Sequence, residues 1–203
     1  MTILNVWVSP ERAVIAVDTL STRPRSLEPW TVSKMIPFVH CNAILSGCGN
    51  MALMLRVFWQ LAQQQGDFDS MALAMPQIVD PAYAECLADL PRLGFTEDQM
   101  SPYSIVALVG WSESLGEMCG QYQVRHPGES AFRAREAIDS IMHPNVGEAG
   151  VDHDLSTADG MAAQARHQVA WGRHTYPKWA IGGRLSLAER QRDSMTITSR
   201  TLD

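Results

Sequence analysis

The chain has no basic stretch: 16 lysines and arginines stand against 22 aspartates and glutamates in 203 residues, for a net charge of −6. A surface of that sign does not attract nucleic-acid phosphates or an anionic membrane, and neither is expected as a partner. No apolar run approaches the ~20 residues that a helix needs to cross a bilayer. Residues 1–9 lack the basic start and long apolar core of a secretory signal, so a cytoplasmic location is expected. Cysteine is scarce and unpatterned. Cys41, Cys48, Cys86 and Cys119 form no C-x-x-C pair and no regular spacing, which argues against a disulfide framework and for reduced, buried thiols. No internal repeat or low-complexity segment is present.

What remains is a globular composition, 46% apolar and 19% charged, with enough chain for one domain spanning residues 1–203. The first fifty residues read as strands. Ile3–Val8 is followed by a Ser9-Pro10-Glu11-Arg12 turn, and Ala13–Val17 is a continuous apolar run of strand length ending at Asp18. A continuous run implies a strand covered on both faces. Residues 19–32, with Pro24 and Pro29, read as a loop; Lys34–His40 and Asn42–Ser46 read as a tight strand pair. Gly47-Cys48-Gly49-Asn50 then breaks the sheet and opens a helix over 51–65 that is apolar almost all round. A second helix is expected over 70–90, interrupted at Pro76 and Pro81, then a loop over 91–102 and a hairpin of Tyr103–Gly110 with Met118–Val124. Residues 126–153 read as an insertion without clear elements. Ser156 and Asp159 suggest a capping box for a helix ending near His174. Trp179–Ala188 and Met195–Thr201 close the chain as a strand pair. This order predicts an α+β domain of antiparallel sheets with helices outside.

The candidate chemistry starts at Thr2, Asp18 and Lys34, each sixteen residues after the last. Removal of Met1 would leave Thr2 with a free α-amine and a hydroxyl on one residue, and such an amine is a usable general base near neutral pH. Thr2 opens the first strand, Asp18 ends the second and Lys34 begins the third, so antiparallel neighbours would collect all three at one end of one sheet. A Lys34 ammonium beside Thr2 favours an alkoxide and a neutral amine. Asp18 would hold that lysine charged and oriented, and the Gly47 N–H would face a developing oxyanion. Nucleophile, base, charge support and oxyanion donor form the set that acyl transfer needs. Each residue also has a plainer reading: Asp18 as a turn cap, Lys34 as a solvated charge, Gly47 as a turn residue.

The segments Thr2-Ile3-Leu4, Val14-Ile15-Ala16-Val17-Asp18, Val32-Ser33-Lys34-Met35-Ile36 and Ser46-Gly47-Cys48-Gly49-Asn50 resemble the N-terminal half of proteasome β-type and HslV-type subunits, which are N-terminal-nucleophile hydrolases. Asp154-Leu155-Ser156 and Ala180-Ile181-Gly182-Gly183-Arg184-Leu185 extend the resemblance to the C-terminal half. It implies a four-layer α/β/β/α sandwich of two antiparallel sheets, with Thr2 as nucleophile, Lys34 tuning it, Asp18 supporting Lys34 and Gly47 contributing to the oxyanion hole. It also implies a threonine peptidase in a homo-oligomeric single or double ring, acting on peptides or unfolded proteins without a cofactor, with an ATPase unfoldase as a candidate partner.

The chain departs from that pattern in several places. The hairpin before Gly47 is one residue short. Glu129 stands where the family carries the Ser of a Gly-Ser-Gly, leaving Ser130 as the candidate for that role. Lys178-Trp179-Ala180-Ile181 replaces an Asp-x-x-Ser, and Leu20 replaces a basic residue. These departures keep two other readings open: a catalytically weak or inactive ring subunit, and an amidase acting on a small molecule. A retained Met1 would turn the base into an amide. Of the remaining candidates, Asp152-His153-Asp154 reads as a solvated loop before a metal site, Cys48 as a structural thiol, and Gly182-Gly183 lacks the residues of a phosphate loop.

Overall fold

The computed structural model describes residues 2–22, 28–64, 66–94, 96, 101, 103–136, 138–146, 153–177 and 180–202. The apolar run read from the sequence is the body of β2 (Arg12–Asp18), buried from Ala13 onward. It pairs with β1 (Leu4–Val8) on one side and β11 (Arg184–Gln191) on the other. β10 (Ser140–His143) and β12 (Ser194–Thr201) complete this antiparallel sheet in the order β10-β1-β2-β11-β12. Alternate residues of β2 enter two different cores. Val14 and Ala16 meet Met161, Ala162, Ala165 and Val169 of helix α3 (Ala158–Thr175). Ala13, Ile15 and Val17 meet Ile44, Ile105, Ala107 and Val109 of a second sheet. A strand covered on both faces has no polar side to alternate with, which is why the run is continuous.

The second sheet has the order β5-β6-β7-β8-β9, with β5 Met35–Phe38, β6 Ala43–Cys48, β7 Ser104–Ser112, β8 Glu117–Arg125 and β9 Arg133–Glu136. Its other face, through Ala43, Leu45, Val106 and Leu108, packs against Leu53, Val57 and Leu61 of α1 (Met51–Ala62) and Met71, Met75 and Val79 of α2 (Phe68–Leu93). The protein is therefore a mixed α/β structure of antiparallel sheets with few helices.

Several expectations change. The stretch 19–32 is not merely a loop: it contains a two-stranded ribbon, β3 (Leu20–Thr22) with β4 (Pro29–Thr31). The sheet does not break at Gly47; β6 runs through Gly47 and Cys48, and Asn50 caps α1 by accepting from Ala52 N–H at 2.8 Å. α2 is one helix of 26 residues despite Pro76 and Pro81. Pro76 has no N–H for the Ala72 carbonyl, and the Gln121 side chain of β8 donates to that carbonyl instead. α3 is capped by Thr157, whose Oγ1 accepts from Gly160 N–H at 3.0 Å, rather than by Ser156, which bonds to Asp154. Residues 126–153 supply an edge strand to each sheet, β9 to one and β10 to the other. Among the described residues no helix is long and apolar enough to cross a membrane.

Candidate active site

The ends of β1 and β2 and the start of β5 converge on one buried ammonium. Lys34 Nζ donates to Thr2 Oγ1 at 3.0 Å, to Asp18 Oδ1 at 2.7 Å and to the Leu20 carbonyl at 2.6 Å. A lysine head has three N–H donors, so all three are engaged. Thr2 is 9% exposed, Lys34 5% and Asp18 0%. The three residues do not share one sheet, as their strand positions suggested. Asp18 ends β2 and Thr2 lies two residues ahead of β1 in the same sheet, while Lys34 stands directly ahead of β5 in the other. Lys34 reaches across the mouth of the inter-sheet core.

Asp18 is held from three sides. Besides Lys34, its carboxylate accepts from Ile3 N–H at 2.9 Å and Gly182 N–H at 3.1 Å. Burial pushes its pKa up, against the pull of the Lys34 charge and these hydrogen bonds. Burial likewise pushes Lys34 below the usual lysine range, while Asp18 draws it back up. The Lys34 carbonyl accepts from Ser46 Oγ at 3.0 Å, which ties the lysine backbone to β6. Thr2 Oγ1 uses a lone pair on Lys34, so its hydroxyl proton remains available to a base.

Gly47 follows the last β5–β6 pair, Met35↔Ser46, so β6 outruns its β5 neighbour there. Its lack of a side chain has a packing cause: a Cβ would lie 2.3 Å from the Ile105 carbonyl oxygen and 2.6 Å from Met54 Sδ. Cys48 is buried next to it, and burial pushes its thiol up to about 12. Ser130 is exposed between β8 and β9, and among the described residues no hydrogen bond joins it to Thr2, Asp18 or Lys34. Met1, Lys178, Trp179 and Asp152 lie outside the described residues. Asp154 bonds to Ser156.

Three contributors were missed from the sequence, and all are backbone groups: the Leu20 carbonyl and the N–H groups of Ile3 and Gly182. Such groups leave no side-chain signature. The one available signal was the glycine pair: Gly182 and Gly183 have φ of +110° and +77°, a conformation other residues rarely adopt, and it turns Gly182 N–H onto Asp18.

The arrangement is a threonine hydroxyl supported by a buried Lys–Asp pair, where the ends of strands from two facing antiparallel sheets meet. Its fold is proteasome-like. No family model and no curated protein matches the chain. Among solved structures, the Gly-1 mutant of Anbu from Hyphomicrobium sp. strain MC1 matches over 100% of this chain and 88% of its own, at 14% identity and a TM-score of 0.61. At that identity the likeness concerns the fold alone. It corrects the resemblance to HslV-type subunits drawn from the sequence: the match is to Anbu, and it points to a proteasome-like fold without singling out HslV. The physical reason is that these segments are strands and turns that build the fold, and they do not separate one branch of it from another.

Proposed function

We propose that the protein hydrolyses amide bonds with Thr2 as an N-terminal nucleophile, and that its substrates are peptides or unfolded proteins. One observation carries this reading: a single buried ammonium is bonded at once to Thr2 Oγ1 at 3.0 Å and to Asp18 at 2.7 Å. Cleavage of the bond ahead of Thr2 frees its α-amine. The amine takes the Oγ1 proton as Oγ1 attacks the scissile carbonyl carbon, and the Lys34 charge stabilises the oxygen as it becomes nucleophilic. The Gly47 N–H faces the oxyanion of the tetrahedral intermediate. Collapse breaks the C–N bond, the leaving amine takes the proton from the α-ammonium, and an ester on Thr2 remains. Water, deprotonated by the same amine, cleaves that ester and restores Thr2. Asp18 keeps Lys34 charged and aimed. The like charge of Lys34 favours the neutral amine, so activity rises with pH through the amine's titration.

The same reading takes residues 1–203 as one α/β/β/α unit of four layers that self-associates in a ring enclosing the Thr2 sites, with an ATPase unfoldase as a candidate feeder of substrate. A second reading, a catalytically silent ring subunit, is favoured by Ser130, which is exposed and bonds to none of the site residues. Comparison of Thr2→Ala with the wild type decides between them. Protein with Thr2 as its first residue, verified by intact mass, is assayed on peptide and protein substrates. Thr2→Ala is expected to lose activity about a thousandfold or more. Hydrolysis that survives the substitution refutes the mechanism, and a wild type without hydrolysis selects the silent subunit.

A further inference from the structure

One residue beside Thr2 has no part in the chemistry above. β10 pairs with β1 in the register Leu4↔His143. Leu4 faces the inter-sheet core, and Thr2, two residues earlier, shares that face of the strand line. His143 is therefore the diagonal cross-strand neighbour of Thr2. Such neighbours sit roughly 7–8 Å apart, within reach of an aromatic side chain. Backbone direction agrees with this placement. Ile3 N–H points toward β2, where it meets Asp18. Successive N–H groups of an extended chain point to opposite edges, so the Thr2 nitrogen faces the β10 edge.

The imidazole is held in place. It stacks on Tyr103 with centroids 4.8 Å apart and planes 17° apart, and His126 meets the Tyr103 ring edge-on at 5.3 Å. The next residue is tied down as well. The Pro144 carbonyl accepts from Gln168 Nε2 at 3.0 Å, and Gln168 of α3 exchanges two hydrogen bonds with Asn5 of β1. His143 is half-buried, and neither of its ring nitrogens has a hydrogen-bond partner among the described residues. Burial lowers its pKa to about 4, so the ring is neutral at pH 7 and keeps an acceptor nitrogen.

We infer that His143 is a positioning residue: one imidazole nitrogen accepts a hydrogen bond from the freed α-amine of Thr2 and holds that base against Oγ1. This inference rests on the Thr2 reading above. It gives the amine an orienting partner where the exposed Ser130 provides none. Among the described residues, the titratable groups around this corner are Asp18 from β2, Lys34 ahead of β5, Cys48 from β6, Tyr103 ahead of β7, and Tyr122 and His126 from β8 and its end. Tyr103 separates His126 from His143.

The test uses His143→Phe, which keeps the stack on Tyr103 and loses the acceptor, and His143→Gln, which restores an acceptor oxygen. Both are made in protein with Thr2 as its first residue. The rate at which a β-lactone acylates Thr2 is followed against pH, with Thr2→Ala as the control. His143→Phe is expected to lower the plateau rate about ten- to a hundredfold through misorientation of the base. It also moves the midpoint of the acid limb down, because an amine without its acceptor gives up its proton more readily. His143→Gln is expected to stay within about a factor of three of wild type and to keep the wild-type midpoint. A His143→Phe rate equal to wild type, or equal losses in both variants with an unmoved midpoint, overturns the inference while the Thr2 reading stands. Acylation that persists in Thr2→Ala overturns the Thr2 reading itself, and the positioning role with it.

Discussion

Separating the Lys34–Asp18 pair measures how strongly the site is coupled to the fold. Asp18 is 0% and Lys34 5% exposed, so either charge left alone is an uncompensated buried ion, a situation that costs about 3–5 kcal/mol. Asp18→Asn sits in the upper half of that range, because its amide also turns a donor toward one of the two N–H groups, Ile3 or Gly182, that the carboxylate satisfies. Lys34→Met sits in the lower half, about 3 kcal/mol, since Asp18 keeps those two backbone donors. The double variant leaves no buried charge, and its cost falls short of the sum of the singles by at least about 2 kcal/mol. The pH slopes are opposite in sign. In Lys34→Met the opposing pull on Asp18 is gone, so its folded pKa rises further above the ordinary 3.8. The folded state then binds more protons, and stability falls as pH rises from that value through the folded pKa. In Asp18→Asn the folded pKa of Lys34 drops further below 10.5. The unfolded state then binds more protons, and stability rises with pH from the folded pKa up to 10.5. Urea unfolding followed by tryptophan fluorescence, at fixed protomer concentration, measures both effects. Additivity within about 0.5 kcal/mol, or slopes of the same sign, refutes the reasoning.

Three further outcomes follow from local geometry. Gly47→Ala forces a Cβ to within 2.3 Å of the Ile105 carbonyl oxygen in the middle of a strand pair. The expected loss is about 1–3 kcal/mol, read as a lower melting temperature; an unchanged melt contradicts the close approach. Gln121→Leu strands the Ala72 carbonyl opposite Pro76, for an expected cost of about 1–3 kcal/mol. The same substitution in a Pro76→Ala background costs much less, because the alanine introduced there supplies the missing helical N–H; equal costs in the two backgrounds show that Gln121 does not serve that carbonyl. Cys48, buried and held at about 12, stays unmodified by iodoacetamide at pH 8 in the folded protein and reacts in urea, as peptide mapping will show.

Legibility followed burial. β2 and the β7–β8 hairpin could be read because both are long and largely buried. β9 and β10 could not: each has four residues, the first reads Arg-Ala-Arg-Glu, and both lie at sheet edges where one flank needs no apolar partner. The prolines of α2 were misread for a different reason. Propensity speaks for an isolated helix, whereas the carbonyl freed by Pro76 is satisfied by a side chain from a distant strand. At the site, three side chains could be read because they carry chemistry at even spacing. The backbone groups that complete it could not, and the sheet assignment of Lys34 was wrong because spacing says nothing about which sheet a strand joins.

The two intervals of sixteen residues are built by different means, and the difference explains why the triad needs both sheets. From Thr2 to Asp18 the chain makes a hairpin, β1 and β2 paired through Leu4↔Val17, a register that brings Asp18 opposite Ile3, whose N–H it accepts, and so one residue from Thr2. From Asp18 to Lys34 it leaves that sheet altogether. The β3–β4 ribbon carries it out and back, Leu20 pairing with Thr31 and Val32 N–H closing on the Thr19 carbonyl at 2.9 Å. That closure brings the chain back beside Asp18 two residues before Lys34, and the next strand then enters the second sheet. A lysine suits such a junction, since its long unbranched stem lies along apolar surface while its head reaches back to the sheet the chain has just left. The Leu20 carbonyl at 2.6 Å belongs to the same ribbon, so the element that returns Lys34 to the site also supplies its third acceptor. The spacing of Lys34 from Thr2 Oγ1 thus depends on the ribbon closure and on the inter-sheet core of Leu4, Val17, Met35, Ile44 and Ile105. Loosening either one separates the ammonium from the hydroxyl without touching a residue of the triad.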